Sequence, residues 1–88
     1  MSVDSIYNKV IDFAYENDSP SIIYLLIELN KITLNDAIIL AMEKQKEEIF
    51  SDLLKNVSCF DDKNILLQEA LNFESRDYIT LVLESLCE

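Results

Sequence analysis

Apolar residues recur in three similar blocks along the chain, each centred on an alanine. Ala14, Ala41 and Ala70 lie 27 and 29 residues apart. Two apolar pairs follow each alanine, the first after eight residues and the second three residues later. These pairs are Ile22 and Ile23 with Leu26 and Ile27, Ile49 and Phe50 with Leu53 and Leu54, and Tyr78 and Ile79 with Val82 and Leu83. Apolar positions at fixed spacing between freely varying residues predict a structural repeat of three units.

Each unit is predicted to form two helices. In the first unit, an inward-facing stripe at helical spacing is predicted for Ile6, Val10, Phe13 and Ala14. The second helix of each unit is predicted at residues 21–29, 46–56 and 76–86, and the first helices of units two and three at residues 34–44 and 63–73. The units span about 5–30, 33–57 and 61–87 of a single domain, 1–88. Because short joints place successive helices side by side, the fold class is all-α, a short solenoid of three stacked helical hairpins with about six helices.

Polar residues at the predicted helix starts support these boundaries. Ser19 is expected to be an N-cap, with Pro20 at the first helical position. Thr33 and Asp36 have the spacing of a capping box. The remaining two N-caps are predicted at Asp62 and Ser75.

The composition agrees with a helical protein and narrows the class of partner. The chain has no Gly and one Pro, whereas tight β-turns usually require Gly. Seven basic residues against 17 acidic ones give a net charge of −10. This charge disfavours direct binding to nucleic acid or to an anionic membrane and favours a basic protein partner. The start of the chain, MSVDSIYNK, does not resemble a signal peptide, so we expect a cytoplasmic protein.

Residues for catalysis or metal binding are scarce. The chain contains no His, and its two cysteines, Cys59 and Cys87, are far apart. No nucleophile–base pair, zinc site or glycine-rich phosphate loop can therefore be assembled. The acids Glu43, Glu47 and Glu48 are expected to be solvated on helix surfaces. The sequence predicts no enzyme, no metal and no cofactor.

The repeated blocks resemble the ankyrin repeat. Residues 13–28 (FAYENDSPSIIYLLIE), 40–55 (LAMEKQKEEIFSDLLK) and 69–84 (EALNFESRDYITLVLE) follow in the register of that family. In that family an Ala ends the core face of the first helix, and an apolar run forms the second helix. The resemblance extends from about residue 5 to residue 86. The family's opening T-P-L-H is absent, and its Gly between the helices is replaced by Asp18, Gln45 and Glu74. Units of 27 or 29 residues are also too short for the family's β-turn fingers, so the fingers are predicted to be lost.

The resemblance implies a protein-binding module, because first helices of ankyrin-like stacks line a concave binding face. Tyr15 and Met42 directly follow alanines and are predicted to be partly exposed there. Ile39 and Met42 would form an apolar centre, although both residues are equally compatible with a place in the core. The predicted partner-binding residues are Asp12, Tyr15, Glu16, Ile39, Met42, Glu43, Gln68 and Asn72.

Two alternatives remain open from the sequence. A small acidic protein can inhibit a DNA- or RNA-binding protein by mimicking nucleic acid, as a viral or pathogen factor would when it engages a host protein. A homodimer through the last helix would instead cover Ile79, Val82 and Leu86. An amphipathic last helix whose apolar stripe faces wholly inward is equally consistent with the sequence. The outer surfaces of the end units are expected to act as caps, which Lys9, Asp12, Arg76 and Glu84 would help to solvate.

Overall fold

The computed structural model describes residues 3–86, which form six α-helices. The helices are α1 (Val3–Glu16), α2 (Pro20–Glu28), α3 (Leu34–Glu43), α4 (Glu47–Leu54), α5 (Phe60–Asn72) and α6 (Arg76–Leu86). Within residues 3–86 there is no β-strand, and the all-α prediction is confirmed. The segments between the hairpins are residues 29–33 and 55–59.

The helix starts follow the polar residues of the sequence, with one exception. The Thr33 Oγ1 accepts a hydrogen bond of 3.1 Å from the Asp36 backbone N–H, as predicted for an N-cap. Pro20 is the first residue of α2, while the Ser19 side chain makes no capping hydrogen bond.

The exception is α5, which begins at Phe60 and not at residue 63. Its N-cap is Cys59, so the predicted cap at Asp62 is wrong. Asp61 and Asp62 lie in the first helical turn, where carboxylates interact favourably with the positive end of the helix dipole. Asp62 Oδ1 accepts a hydrogen bond of 3.1 Å from Asn35 Nδ2 on α3.

Four of the helices end in the same backbone motif. The residues that follow α1, α2, α3 and α5 include one residue with positive φ each: Asp18 (51°), Asn30 (59°), Gln45 (58°) and Glu74 (54°). At each site the N–H of the next residue bonds back to a carbonyl five residues earlier, as in Ser19 N–H to Ala14 O (2.8 Å). These bonds define Schellman motifs, which satisfy the last carbonyls of a helix. Ala14, Ala41 and Ala70 are the equivalent acceptors of three of them.

The six helices pack as neighbouring pairs. α1 packs against α2, α3 against α4 and α5 against α6, so the chain forms three helical hairpins. Between hairpins, α3 contacts α5, and α4 contacts both α2 and α6. The α1 and α3 helices are joined by a hydrogen bond from the Tyr15 hydroxyl to the Ala37 carbonyl. The molecule measures 42 × 22 × 19 Å and is therefore about twice as long as it is wide.

The core runs along the whole molecule and is densest in the middle hairpin. All three alanines of the repeat are fully buried. The middle hairpin contributes eight residues to the core: Ala37, Ile38, Ala41, Met42, Ile49, Phe50, Leu53 and Leu54. An edge-to-face contact between Phe50 and Tyr78, with ring centroids 4.8 Å apart, connects this hairpin to the last one.

Both ends of the molecule expose large apolar side chains beside the charged residues Lys9, Arg76 and Glu84, which are also exposed. Ile6 and Phe13, which were expected to face inward, are 53% and 55% exposed. Asp12 makes an ion pair with Lys44 of the middle hairpin. We call the apolar surface of the first hairpin the N-terminal face: Ile6, Val10, Phe13, Ile22, Leu25 and Leu29. The corresponding surface of the last hairpin, which we call the C-terminal face, comprises Phe60, Leu67, Leu71, Ile79, Leu83 and Leu86.

Candidate functional site

The outward sides of α1, α3 and α5 form a surface that we call the first-helix face. Of the predicted binding residues, Ile39 is half-buried there, and five are exposed: Asp12, Glu16, Glu43, Gln68 and Asn72. Each helix turns these residues outward because its opposite side carries the buried alanine of the repeat.

Tyr15 and Met42 do not belong to this face, and the prediction that they are partly exposed is wrong. Tyr15 is 1% exposed and Met42 is 2% exposed. The position after Ala14 and the position after Ala41 point along the molecule toward the next hairpin, which covers them. The Tyr15 hydroxyl donates a hydrogen bond to the Ala37 carbonyl, and burial raises the pKa of Tyr15 well above its usual value.

An exposed isoleucine that the sequence reasoning missed lies on the first-helix face. Ile65 on α5 is 49% exposed. The hydrogen bond between Asn35 and Asp62 joins α3 to α5, and Ile39 and Ile65 follow these two residues by about one helical turn. Ile39 and Ile65 therefore lie on the facing sides of α3 and α5. The signal in the sequence was the run of three apolar residues at positions 65–67, because a helix cannot bury three consecutive side chains against one neighbour.

Exposed carboxylates lie on the same two helices as these isoleucines. Asp36, Glu43 and Asp61 are exposed on α3 and α5. Within residues 3–86 the ion pairs are Lys44 with Asp12 (3.2 Å) and Lys46 with Asp18 (3.4 Å), and neither involves these acids. The first-helix face therefore combines a small apolar strip with a surplus of negative charge.

The last helix does not present the surface that was expected for a homodimer. Val82 is completely buried in the core, and Ile79 and Leu86 are half-buried. The prediction that Val82 is available to a second copy is wrong, because Val82 lies on the side of α6 that packs against the neighbouring helices. Leu83, the next residue, is 46% exposed.

The remaining chemistry of the described residues is sparse. Cys59 is exposed and free, and Cys87 lies outside the described residues. In the part of the chain that the structure covers, no group of three or more acidic or cysteine side chains is placed to hold a metal ion. None of the six helices has both the length and the apolar character that a membrane-crossing segment needs.

Comparisons of the chain with protein-family models, with curated proteins and with solved structures find no match. The resemblance to ankyrin repeats stays a prediction from the residues.

Proposed function

We propose that the chain is a protein-binding module, built as a short solenoid of three ankyrin-like hairpins. The Schellman motifs support this reading, because Asp18, Gln45 and Glu74 take positive φ at the positions where the ankyrin family has Gly. The three alanines of the repeat are equally buried and accept equivalent backbone hydrogen bonds. The connections of residues 29–33 and 55–59 leave no chain for β-turn fingers.

The observation that carries the binding proposal is the apolar strip of Ile39 and Ile65 on helices that also expose Asp36, Glu43 and Asp61. Apolar anchors at the centre of a surface with charged residues at its rim are typical of protein interfaces. The surplus of negative charge favours a basic partner and speeds its approach. The proposed partner is a basic segment of another protein, with one or two apolar side chains that dock between α3 and α5.

The nucleic-acid mimic makes a different structural demand. A mimic needs carboxylates in rows at the spacing of phosphates and has no use for an apolar centre. The first helices of the hairpins (α1, α3 and α5) form one layer and the second helices (α2, α4 and α6) form the other. Exposed acids occur on both layers, for example Glu43 on α3 and Glu48 on α4. This scattered arrangement favours the protein-binding module over the mimic.

The test is fluorescence anisotropy with two labelled peptides of equal positive charge. One is a Lys/Leu amphipathic helix, and the other contains Lys with polar residues in place of Leu. We expect the amphipathic peptide to bind more tightly, with a Kd that rises with salt concentration because the contacts at the rim are ionic. Replacing the apolar anchor by Ile65→Ser should weaken its binding about tenfold, which corresponds to ~1.4 kcal/mol.

Two charge variants locate the binding surface. Glu43→Gln on α3 and Glu48→Gln on α4 remove the same charge from opposite layers, and only Glu43→Gln should weaken binding of the amphipathic peptide. Equal binding of both peptides, with no effect of Ile65→Ser, would contradict the proposal. If, in addition to that result, the chain displaced duplex DNA from a basic DNA-binding protein, the nucleic-acid mimic would be favoured.

A further inference from the structure

Equivalent positions of the three hairpins differ greatly in exposure. Met42 of the middle hairpin corresponds to Leu71 of the last hairpin, and Leu54 corresponds to Leu83. Met42 and Leu54 are 2% and 5% exposed, whereas Leu71 and Leu83 are 52% and 46% exposed. In the middle hairpin these positions are covered by the last hairpin. The C-terminal face therefore consists of stacking positions that no other hairpin within residues 3–86 covers.

The N-terminal face shows the same relation from the other side. Phe13 and Leu25 are 55% and 52% exposed, and they correspond to Leu40 and Asp52 of the middle hairpin, which are half-buried. Asp52 faces the first hairpin, because its Oδ2 accepts a hydrogen bond of 3.0 Å from the Tyr24 hydroxyl on α2. The residues of the N-terminal face therefore stand at the positions that the second and third hairpins use to pack against the preceding hairpin.

From these two observations we infer that copies of this chain stack head to tail, the N-terminal face of one copy on the C-terminal face of the next. The contact continues a packing arrangement that the chain already makes twice internally, between its first and second hairpins and between its second and third. A second copy is the occupant that this argument supplies, since its N-terminal face has the stacking positions that the C-terminal face lacks.

The polar positions at the edge of this contact are compatible with stacking. Within the chain, Lys44 pairs with Asp12 across the first hairpin junction. The equivalent positions at the contact between copies are Gln68 of one copy and Asn17 of the next, and neither carries a charge. Glu74 of one copy likewise corresponds to a position opposite Ser19 of the next. These two positions bring no like-charged pair together, whereas Glu84 of one copy and Glu28 of the next, the equivalents of Lys55 and Glu84, add a repulsion that salt screens.

Head-to-tail contact has two measurable consequences. Because the interface is heterologous, each added copy leaves one N-terminal and one C-terminal face free, so the mass should increase with concentration without a fixed end point. Each copy carries a net charge of −10, so salt should strengthen the association by screening the repulsion between copies. Salt has the opposite effect on the proposed binding of a basic partner, which distinguishes the two proposals.

The decisive experiment uses two variants that are each blocked at one end. Phe13→Glu with Leu25→Glu blocks the N-terminal face, and Leu71→Glu with Leu83→Glu blocks the C-terminal face. Light scattering should show that each blocked variant is a monomer. A 1:1 mixture should have twice the monomer mass and no larger species, because one free face of each kind remains.

Phe73→Glu is the matched control, since Phe73 is about as exposed as Leu83 and lines a groove with Met42 of the middle hairpin, away from the C-terminal face. It should associate like the wild type. Far-UV circular dichroism verifies the helical content of every variant, and Phe13→Lys and Leu71→Lys serve as single replacements if a double variant unfolds. A wild type that is monomeric at millimolar concentration and high salt would overturn the inference. Dimerisation of the N-terminally blocked variant by itself would also overturn it, because the contact would then join two C-terminal faces.

Discussion

The middle hairpin and the last hairpin carry the same apolar pattern in very different surroundings. Phe50 and Ile79 stand at equivalent positions, yet Phe50 is completely buried and Ile79 is only half-buried. The middle hairpin has a neighbour on both sides, and the last hairpin has a neighbour on one side. In a repeat, the sequence position therefore determines the direction in which a side chain points. Its burial depends on whether a further hairpin follows.

The largest effect is expected at the fully buried member of this pair. Phe50→Ala removes a fully buried ring that also contacts Tyr78, so it should lower the free energy of unfolding by about 3–5 kcal/mol. Ile79→Ala at the equivalent position should cost about 1–2 kcal/mol, because only part of that side chain is removed from water. Urea denaturation followed by circular dichroism, at concentrations where the chain is monomeric, measures both. Equal losses would mean that the last hairpin contributes as much to the core as the middle one.

The helices were predictable from the sequence, but much of the surface was not. The alanines and apolar pairs predicted six helices because a helix that packs on a neighbour needs apolar residues at a regular spacing. The same pattern misplaced Tyr15 and Met42, because it does not give the direction in which successive hairpins stack. That direction depends on the contacts between hairpins, which one helix does not encode. For Ile65, the run of three apolar residues at positions 65–67 indicated that one of them would be exposed, but which one depends on the same contacts.

The start of α5 was mispredicted for a local reason. Asp62 has a side chain suited to an N-cap, and this preference predicted a helix that begins at residue 63. Cys59 takes the cap position in spite of its weaker propensity, which adds a helical turn that places Asp62 beside Asn35 of α3. A contact between hairpins outweighs the capping preference there.

A second prediction concerns Tyr15, which joins the first hairpin to the middle one. Its folded-state pKa is raised by burial above the value of about 10 expected in the unfolded chain. The stability that neutral Tyr15 contributes is fully present below pH 10 and decreases as the pH rises above 10, by up to about 1.4 kcal/mol per pH unit. Tyr15→Phe should lose about 1 kcal/mol at pH 7, because it lacks the hydrogen bond to Ala37. Its stability should decline less between pH 10 and pH 11.5.

Urea unfolding at a series of pH values measures how steeply the free energy of unfolding falls with pH in the wild type and in Tyr15→Phe. Tyr24→Phe is a useful comparison, because the pKa of Tyr24 is also raised, first by desolvation and then by its hydrogen bond to Asp52. Tyr24 is only half-buried, so its replacement should change the alkaline slope less. Parallel pH profiles for the wild type and Tyr15→Phe would show that burial of this hydroxyl does not control the alkaline limit.

The smallest predicted effect concerns the backbone of the hairpin turns. Without any Gly, the chain places Asp18, Gln45 and Glu74 in the left-handed region. This conformation costs an ordinary residue about 1–2 kcal/mol, whereas Gly adopts it without that cost. Gly also loses more conformational entropy on folding, so only part of the cost is recovered. Gln45→Gly should therefore stabilise the fold by about 0.5–1 kcal/mol.

The control for Gln45→Gly is Lys55→Gly at the end of α4, within the same middle hairpin. Lys55 has φ −60° and ψ −21°, a right-handed helical conformation in which Gly has no steric advantage, so Lys55→Gly should destabilise the fold. Asp18→Gly should stabilise less than Gln45→Gly, because it also removes the ion pair with Lys46. In thermal unfolding, the melting temperature should be highest for Gln45→Gly, lower for Asp18→Gly and lowest for Lys55→Gly. If Gln45→Gly and Lys55→Gly lowered the melting temperature equally, the positive φ of Gln45 would carry no measurable strain.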